Sequence, residues 1–393
     1  MPTIAIHADR ALTPFDDITD AVVVIQGSKI LAVGPRNRIV LPRGAREIKM
    51  PGKTVVPGFV DVHIHGAGGH DVMEASAGAL EKIAATVARH GTTSFVATTV
   101  TASQIETADS VKGIAQFILH SSQFAVRELS AEILGIHFEG PFISKARRGV
   151  HPSEWILAPS TEVLEQLLKD ARGTAQILTL APELPGALEL IAAARQAGLV
   201  VSMGHTDASY EQALAAINAG ASHAAHVFNA MRPFSHRETG VIGAVMTSSK
   251  VSAELIADGI HVDEAAMRML VDMKTPERVI LVSDGISATG MPDGKYRLGK
   301  FDVKVMGGVC RNKEGKLAGS TLTLDRALRN MVAMGVPLGS ALRMMTANPA
   351  RQIGLGARKG VLAEGADADL VFLDDKLEVS AVMTRGVGLE LSS

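Results

Sequence analysis

The sequence predicts an α/β protein: a (β/α)8 TIM-like barrel joined to a small β-sandwich domain that both ends of the chain build. Two observations support this prediction. Through the middle of the chain, apolar stretches rich in Val, Ile and Leu alternate with helical stretches rich in Ala and Leu, as in a parallel sheet covered by helices. Strand-like stretches separated by turn residues occur near both ends. We therefore assign residues 1–54 and 359–393 to the small domain and residues 55–358 to the barrel.

Length, charge and cysteine content narrow the class of protein. A chain of 393 residues is long for one compact domain but suits a barrel with a small attachment. The 39 Lys and Arg residues nearly balance the 41 Asp and Glu residues, and no basic run stands out, so we expect a small-molecule substrate and no nucleic-acid partner. The single cysteine, Cys310, excludes an intrachain disulfide and a multi-cysteine metal site, and we expect it to have no role.

The sequence shows no signal for secretion or for a membrane. The first residues lack a basic segment followed by an apolar core, and no charge-free apolar stretch reaches the roughly 18 residues of a membrane span. We therefore expect a cytoplasmic protein without a membrane partner.

The small domain is predicted from both termini. Strand-like stretches cover residues 3–8 (TIAIHA), 21–34 (AVVVIQGSKILAVG, with a tight turn at 26–29) and 46–50 (REIKM). Residues 369–373 and 377–383 are again strand-like. We expect these segments to pair in one discontinuous domain.

Eight strands are expected in the barrel, at residues 55–66, 92–100, 133–140, 176–183, 199–206, 223–231, 251–259 and 279–285. Eight strand and helix units fit a closed barrel. An open, doubly wound sheet is the structural alternative, although no GxGxxG motif follows any of these strands.

The first barrel strand, VVPGFVDVHIHG, is entered through Pro57 and Gly58 and ends in His63 and His65. Because alternate residues of a strand point to the same face, the two imidazoles can converge on one metal ion. The alternative is a pair of hydrogen-bonded histidines near a strand end.

Polar residues also end the other strands. In a closed barrel the chemistry lies where the strands end, at the C-terminal face. A single histidine there is more often a packing residue than a ligand, but several imidazoles and carboxylates on separate strands predict a metal centre. Imidazole and carboxylate without thiolate suit zinc, iron, manganese or cobalt equally. Besides His63 and His65, the strand-end residues are Glu139, His205, His226, His261 and Asp284.

These strand ends lie in motifs that resemble the N-acetylglucosamine-6-phosphate deacetylase family of the amidohydrolase superfamily. The resemblance spans the whole barrel and continues beyond it. The motifs are HFEGPFIS (137–144), GHTDASY (204–210), HVFNAM (226–231), HRETG (236–240), DGIHVD (258–263), VSDGISATG (282–290) and LAGSTLTLDRAL (317–328).

The resemblance implies a metal centre built on Glu139, His205 and His226, with Glu139 where many superfamily members use a carbamylated lysine. Asp284 would be the catalytic acid/base. His151 would polarise the amide carbonyl. The sugar phosphate would be held by His151, Asn229, Ala230, Arg237 and His261.

The implied reaction is hydrolysis of the N-acetyl group of N-acetylglucosamine 6-phosphate to glucosamine 6-phosphate and acetate, in amino sugar catabolism or recycling. The expected cofactor is a divalent transition metal, with zinc first and iron, manganese or cobalt as alternatives. Some members lack the first-strand histidine pair and use one ion. Because this chain keeps both histidines, a second metal position can be completed by His63, His65 and Asp284. The resemblance therefore allows either one or two ions per subunit.

The family likeness also implies a homodimer, or a dimer of dimers, in which Arg237 crosses to the neighbouring site. Thr239 stands in HRETG where the family pattern has proline. His223, three residues before His226, is expected to stay out of the site and to pack beneath a helix.

Three alternatives to this function remain. The enzyme could act on N-acetylgalactosamine 6-phosphate, since the sequence does not show how the sugar C4 hydroxyl is read. A second alternative is the opening of a cyclic amide by a similar metal centre, which would leave Arg237 and the HVFNAM loop without a purpose. The third is a barrel used only as an oligomeric scaffold, which the full set of ligand positions argues against.

Overall fold

The computed structural model describes residues 3–121 and 128–389 of the chain. Within these ranges, its strands are β1 Thr3–Leu12, β2 Asp17–Gln26, β3 Lys29–Pro35, β4 Arg46–Pro57, β5 Phe59–Ile64, β6 Gly66–Ala67, β7 His70–Asp71, β8 Thr92–Thr99, β9 Glu132–Glu139, β10 Ala175–Leu180, β11 Val200–Met203, β12 His223–Ala224, β13 Ser252–Leu255, β14 Val279–Leu281, β15 Gly294–Leu298, β16 Phe301–Met306, β17 Val309–Asn312, β18 Leu370–Leu373 and β19 Val379–Met383.

The α-helices of the described ranges lie mainly between the barrel strands and cover them. They are α1 Ala77–Ala88, α2 Gln104–Ser121, α3 Thr161–Ala171, α4 Ala187–Gln196, α5 Tyr210–Ala219, α6 Gly240–Thr247, α7 Glu264–Lys274, α8 Leu324–Ala333, α9 Leu338–Met345 and α10 Ala347–Gln352. None of the helices in the described part of the chain is long and apolar enough to cross a membrane.

The barrel consists of eight parallel strands in the order β5-β8-β9-β10-β11-β12-β13-β14. The last strand returns to the first: the amide of Asp284 donates to the carbonyl of His63 at 2.9 Å, and the amide of His65 donates to the carbonyl of Gly285 at 2.8 Å. Every residue of β5 and β8 is buried, because helices cover the outside and side chains fill the inside. The predicted barrel is confirmed.

The sixth barrel strand is much shorter than predicted. Regular pairing ends with β12 at Ala224, and the extended conformation predicted for residues 223–231 is wrong beyond that point. The backbone turns because His226, Phe228 and Ala230 have positive φ angles of 26°, 80° and 49°. A residue in that region cannot continue a strand.

The small sheet combines both ends of the described chain, as predicted, in the order β19-β18-β4-β1-β2-β3. Both of its faces bury apolar side chains, with Ile6 and Val23 on one face and Val22 and Val24 on the other. Strand β4 runs across the predicted domain boundary at residue 54 and leads through Gly58 directly into β5. A Cβ atom at Gly58 would lie 2.1 Å from Thr93 Oγ1, so only glycine fits this junction.

A three-stranded antiparallel sheet, β15 to β17, follows the eighth barrel strand and was not predicted. Its apolar face includes Leu298, Val303 and Cys310, and packs with Val100 at the mouth of the barrel. Burial raises the pKa of the Cys310 thiol to about 12, which leaves it a poor nucleophile.

Candidate metal centre and substrate cavity

Three of the predicted ligands meet at a single point. His205 Nε2 and His226 Nε2 lie 3.1 and 3.0 Å from Glu139 Oε1, and 3.2 Å from each other. Ligands about 2.0–2.1 Å from a tetrahedral zinc ion lie about 3.3 Å apart, so the three atoms have nearly the spacing of one coordination shell. The donors present therefore fit a metal ion.

The other predicted ligands form a second group around the same carboxylate. His63 Nε2 lies 3.2 Å from Glu139 Oε1 and 3.7 Å from Asp284 Oδ1. His65 Nε2 lies 3.3 Å from Glu139 Oε2 and 3.2 Å from Asp284 Oδ1. Glu139 lies between the two groups, an arrangement that suits a carboxylate shared by two ions.

The hydrogen bonds of the imidazoles assign their tautomers. In three of the four predicted histidine ligands, Nδ1 faces an oxygen acceptor: Glu254 Oε2 at 2.8 Å for His63, the Thr98 carbonyl at 3.0 Å for His65 and the Arg147 carbonyl at 3.1 Å for His205. The Nδ1 of His226 is buried and has no hydrogen-bond partner among the described residues. In the neutral form of the other three rings Nδ1 therefore carries the hydrogen, and Nε2 presents a lone pair to the cluster. That is the form in which neutral histidine binds a metal.

The backbone is strained where it turns these side chains into the barrel mouth. His205, His226 and Asp284 have φ angles of 48°, 26° and 49°, in the left-handed region that residues with a Cβ rarely adopt. Such residues cost on the order of 1–3 kcal/mol each and concentrate at functional sites. Neighbouring segments hold the turns, as where the amide of Ser320 donates to the carbonyl of Asp284 at 2.8 Å.

The electrostatics of the cluster favour a positive charge. Burial opposes ionisation of Glu139, but His63 and His205 outweigh it and hold the pKa of its carboxyl well below the usual range. Burial lowers the pKa of His65, yet the hydrogen bonds of its Nε2 to Asp284 and Glu139 prevail and raise it to about 9, so without a metal Nε2 also carries a proton, which a bound cation would displace. At His205 burial dominates and lowers the pKa to about 4, so its ring is neutral.

His151 approaches the cluster with the opposite polarity. Its Nδ1 accepts the amide N–H of Thr101 at 3.2 Å, so in the neutral ring the hydrogen is on Nε2. Nε2 lies 3.3 Å from Glu139 Oε2 and points into the site. His151 is therefore a hydrogen-bond donor here, which suits the predicted contact with a carbonyl oxygen and not a role as a ligand.

One cavity of about 220 Å³ connects the cluster to the predicted substrate residues. His261 Nδ1 donates to Asp258 Oδ2 at 2.7 Å, which leaves its other nitrogen for a ligand. Arg237 is exposed and does not line the cavity of its own chain. The lining residues are His65, Glu139, His151, His205, His226, Asn229, Ala230, His261 and Asp284, with an apolar wall of Val100, Val150, Leu298, Leu317 and Ala318.

A layer of buried polar residues beneath the cluster was missed from the sequence. Glu254 in β13 accepts from His63 and His223, and His137 Nε2 lies 2.7 Å from Thr179 Oγ1. His223 does not pack beneath a helix as predicted; it reaches Glu254 inside the barrel, because the sixth strand directs it inward. It belongs to none of the groups of converging ligand atoms in the described part of the chain.

A signal for this layer was present in the sequence. Asp61 precedes His63 by two residues, as His137 precedes Glu139, so the alternation that pairs His63 with His65 also directs these side chains inward. Glu254 is a lone charged residue in an apolar strand, and a charged residue is rarely fully buried without a partner.

Comparisons with known proteins agree with this geometry. The model of the amidohydrolase family matches residues 54–388. The chain is 38% identical over 347 residues to N-acetylglucosamine-6-phosphate deacetylase of Lysinibacillus sphaericus, covering 88% of this chain and 87% of that one. It is 36% identical over 385 residues to N-acetylgalactosamine-6-phosphate deacetylase of Escherichia coli O157:H7, covering 98% of each.

A solved structure is similar over the full length. The structure of a mutant N-acetyl-D-glucosamine-6-phosphate deacetylase from Mycobacterium smegmatis, in complex with N-acetyl-D-glucosamine-6-phosphate, superposes with a TM-score of 0.91 at 38% identity and covers 100% of both chains. The chain therefore belongs to the amidohydrolase family and, within it, to the N-acetylglucosamine-6-phosphate deacetylase family.

Proposed function

We propose that the protein hydrolyses the N-acetyl group of N-acetylglucosamine 6-phosphate, giving glucosamine 6-phosphate and acetate in amino sugar metabolism. One observation carries the proposal. A single cavity joins the cluster of metal-ligand side chains, the Nε2–H of His151 and the residues expected to hold a sugar phosphate, Asn229, Ala230 and His261. The family relationship supports the same reaction.

Different residues of the cavity act in different steps of amide hydrolysis. A divalent cation held by this cluster would polarise the amide carbonyl and lower the pKa of a water molecule. Asp284, at the end of the eighth strand, takes the proton from the attacking water and returns it to the departing sugar amine. His151 donates its Nε2–H to the oxygen of the reacting carbonyl, where negative charge develops.

For the metal we propose zinc, bound by Glu139, His205 and His226, with His63, His65 and Asp284 as ligands of a second ion. The spacing of the Nε2 and carboxylate oxygen atoms supports tetrahedral sites of the size zinc prefers. Iron, manganese and cobalt accept the same ligands and are alternatives.

For the phosphate we propose His261 from the same chain and Arg237 from the partner in a homodimer or a dimer of dimers. Arg237 is exposed on its own chain, and the planar guanidinium suits a phosphate. Phe234 and Ile260, close in sequence to Arg237 and His261, leave 45% and 41% of their surface exposed, as residues of an interface would. The cytoplasmic location stays a prediction.

N-acetylgalactosamine 6-phosphate is a second candidate substrate, because the relative that acts on it by name matches nearly the whole of both chains. The two sugars differ only at C4, so the same metal centre and phosphate residues serve either. Opening of a cyclic amide is less well supported, since the phosphate residues would have no role in it.

The test is acetate release from purified protein after loading with zinc. The panel contains both N-acetylhexosamine 6-phosphates and the two unphosphorylated sugars. We expect rapid release from N-acetylglucosamine 6-phosphate, slower release from the galacto sugar and little from either plain sugar. A zinc-loaded enzyme that releases acetate from none of them would overturn the proposal.

A further inference from the structure

We propose that Glu254 is a positioning residue for the metal centre. Its carboxylate fixes a ligand from the first strand and the backbone of a ligand from the sixth, and thereby gives the metal position that includes His63 its affinity. This inference rests on the proposed function, since it concerns the same metal centre.

The carboxylate of Glu254 has three hydrogen-bond donors. Oε2 accepts from His63 Nδ1 at 2.8 Å and from the backbone amide of His226 at 3.0 Å. Oε1 accepts from His223 Nε2 at 2.8 Å. Glu254 itself is completely buried. A single carboxylate thus links the first, sixth and seventh strands beneath the mouth of the barrel.

Packing alone does not explain a carboxylate at this position. The effective penalty for burying an ion is several kcal/mol, and its neighbours in β13 include the buried apolar residues Ala253 and Leu255. A well-packed apolar side chain of similar volume would often be as stable. What an apolar residue cannot do is accept the Nδ1–H of His63.

The bond to His63 determines what that ring offers to a metal. With a hydrogen held on Nδ1, the ring directs Nε2 toward the cluster, 3.2 Å from Glu139 Oε1, as the nitrogen that would bind a metal. The bond to the amide of His226 supports a residue whose φ is 26°, so the orientation of that ligand also depends on Glu254. Two predicted ligands on different strands therefore share one support.

The charge of Glu254 also matters. Glu139 and Asp284 are the only carboxylates among the predicted ligands, and two divalent ions would leave the centre positive. Glu254 adds a third negative charge one imidazole away, and a carboxylate on the far nitrogen makes a histidine a stronger ligand. Loss of such a partner typically lowers metal affinity about 10- to 100-fold.

In the experiment, metal-free protein is titrated with Co²⁺. The visible absorption of the bound Co²⁺ measures metal binding independently of turnover. His63→Gln identifies the binding step that depends on His63. We expect Glu254→Gln, which keeps the shape and removes the charge, to weaken that same step about 10- to 100-fold. Asp61→Asn is the matched control, because Asp61 is also buried and accepts the backbone amides of His63 and Ser283, but it does not bond the imidazole of His63. By the same reasoning, the Co²⁺ affinity of the His63-dependent step in Asp61→Asn should stay within about threefold of the wild-type affinity.

Three results would overturn the inference. Glu254→Gln could leave the affinity of the His63-dependent step unchanged. Alternatively, Asp61→Asn could weaken that step as much as Glu254→Gln does, which would show that the loss comes from disturbed folding. If Glu254→Gln does not fold, Glu254→Asp keeps the charge but shortens the reach, and an unchanged step in that variant overturns the inference as well. A wild-type protein that binds no Co²⁺ overturns the proposed function itself, so the two failures are distinguishable.

Discussion

The donor role of His151 leads to a quantitative prediction. The ring is 3% exposed, its Nδ1 is occupied by the amide of Thr101, and its Nε2–H faces the cavity within 3.3 Å of Glu139. A fixed donor in such a water-poor site acts where charge develops during the reaction. Removing one donor of this kind commonly lowers kcat about 10²- to 10³-fold, or about 2.7–4 kcal/mol. We expect a loss of this size for His151→Asn, whose amide cannot reach the position of Nε2.

A matched variant tests whether the donor itself is responsible. In His151→Gln the amide nitrogen lies near the former Nε2, so we expect part of the lost kcat to return. KM should change less than kcat in both variants, because the bond strengthens as the carbonyl oxygen becomes negative. Metal content should equal that of the wild type, since the tautomer excludes His151 from the ligands.

The assay is steady-state acetate release, with metal measured by elemental analysis on the same samples. A kcat within tenfold of the wild type in His151→Asn would refute the donor role. Loss of metal in that variant would show that the tautomer assignment is wrong.

Three further predictions concern other parts of the molecule. Asp284→Asn should lower kcat by about 10²- to 10⁴-fold or more, because general acid/base catalysis is lost, and near-normal turnover would exclude the role. Arg237→Ala should impair hydrolysis of the 6-phosphate substrate but not of the plain sugar. If Arg237 acts across a dimer, mixing Arg237→Ala subunits with inactive His226→Gln subunits should restore activity. Proven subunit exchange without restored activity would place Arg237 in its own subunit's site. Lys359→Met should lower the free energy of unfolding by about 3–5 kcal/mol in denaturant titrations, because it removes the ion-pair partner of buried Asp369 and one of the cations beside Glu132 and Asp367, which keep Arg358. Burial opposes ionisation of Glu132 and Asp367, but Lys359 lowers the pKa of both carboxyls. The stability that Lys359 contributes is therefore present above about pH 4 and is lost as the pH falls through these lowered pKa values. The difference in unfolding free energy between variant and wild type should shrink in acid.

Local patterns in the sequence predicted the barrel and the strand ends at which the candidate ligands lie. Strands that are buried on both faces read as apolar runs, and ligands at strand ends such as His63 and Asp284 must meet when the sheet closes. The pattern could not show where the sixth strand stops. Val227 and Phe228 continue an apolar run, yet positive φ angles at His226 and Phe228 end the strand, and no propensity rule assigns such angles to His or Phe.

The residues that the sequence did not predict depend on contacts between distant segments. Glu254 and His63 are 191 positions apart and meet only because the strands tilt and close into a barrel. The strands β15 to β17 were also missed, since their alternating pattern is short and their apolar face is covered by barrel-loop residues such as Val100 and Ala318. Tertiary contacts determine these features, and the local pattern does not contain them.

The two ends of the barrel are stabilised in different ways, and this bears on metal removal. At the mouth, His205, His226 and Asp284 carry backbone strain, and the converging imidazole nitrogens and carboxylate oxygens have the spacing of ligands to an added cation. At the start of β9, Glu132 and Lys359 supply both charges of an ion pair from the chain itself. An ion that binds only the folded protein stabilises it by about 4 kcal/mol at a thousand times its Kd. We therefore expect metal removal to lower Tm and to speed hydrogen exchange in the turns after β11 and β12, while β1 and β4 stay protected. Equal acceleration in β1 and β4 would show that the metal stabilises the whole fold and not the mouth alone.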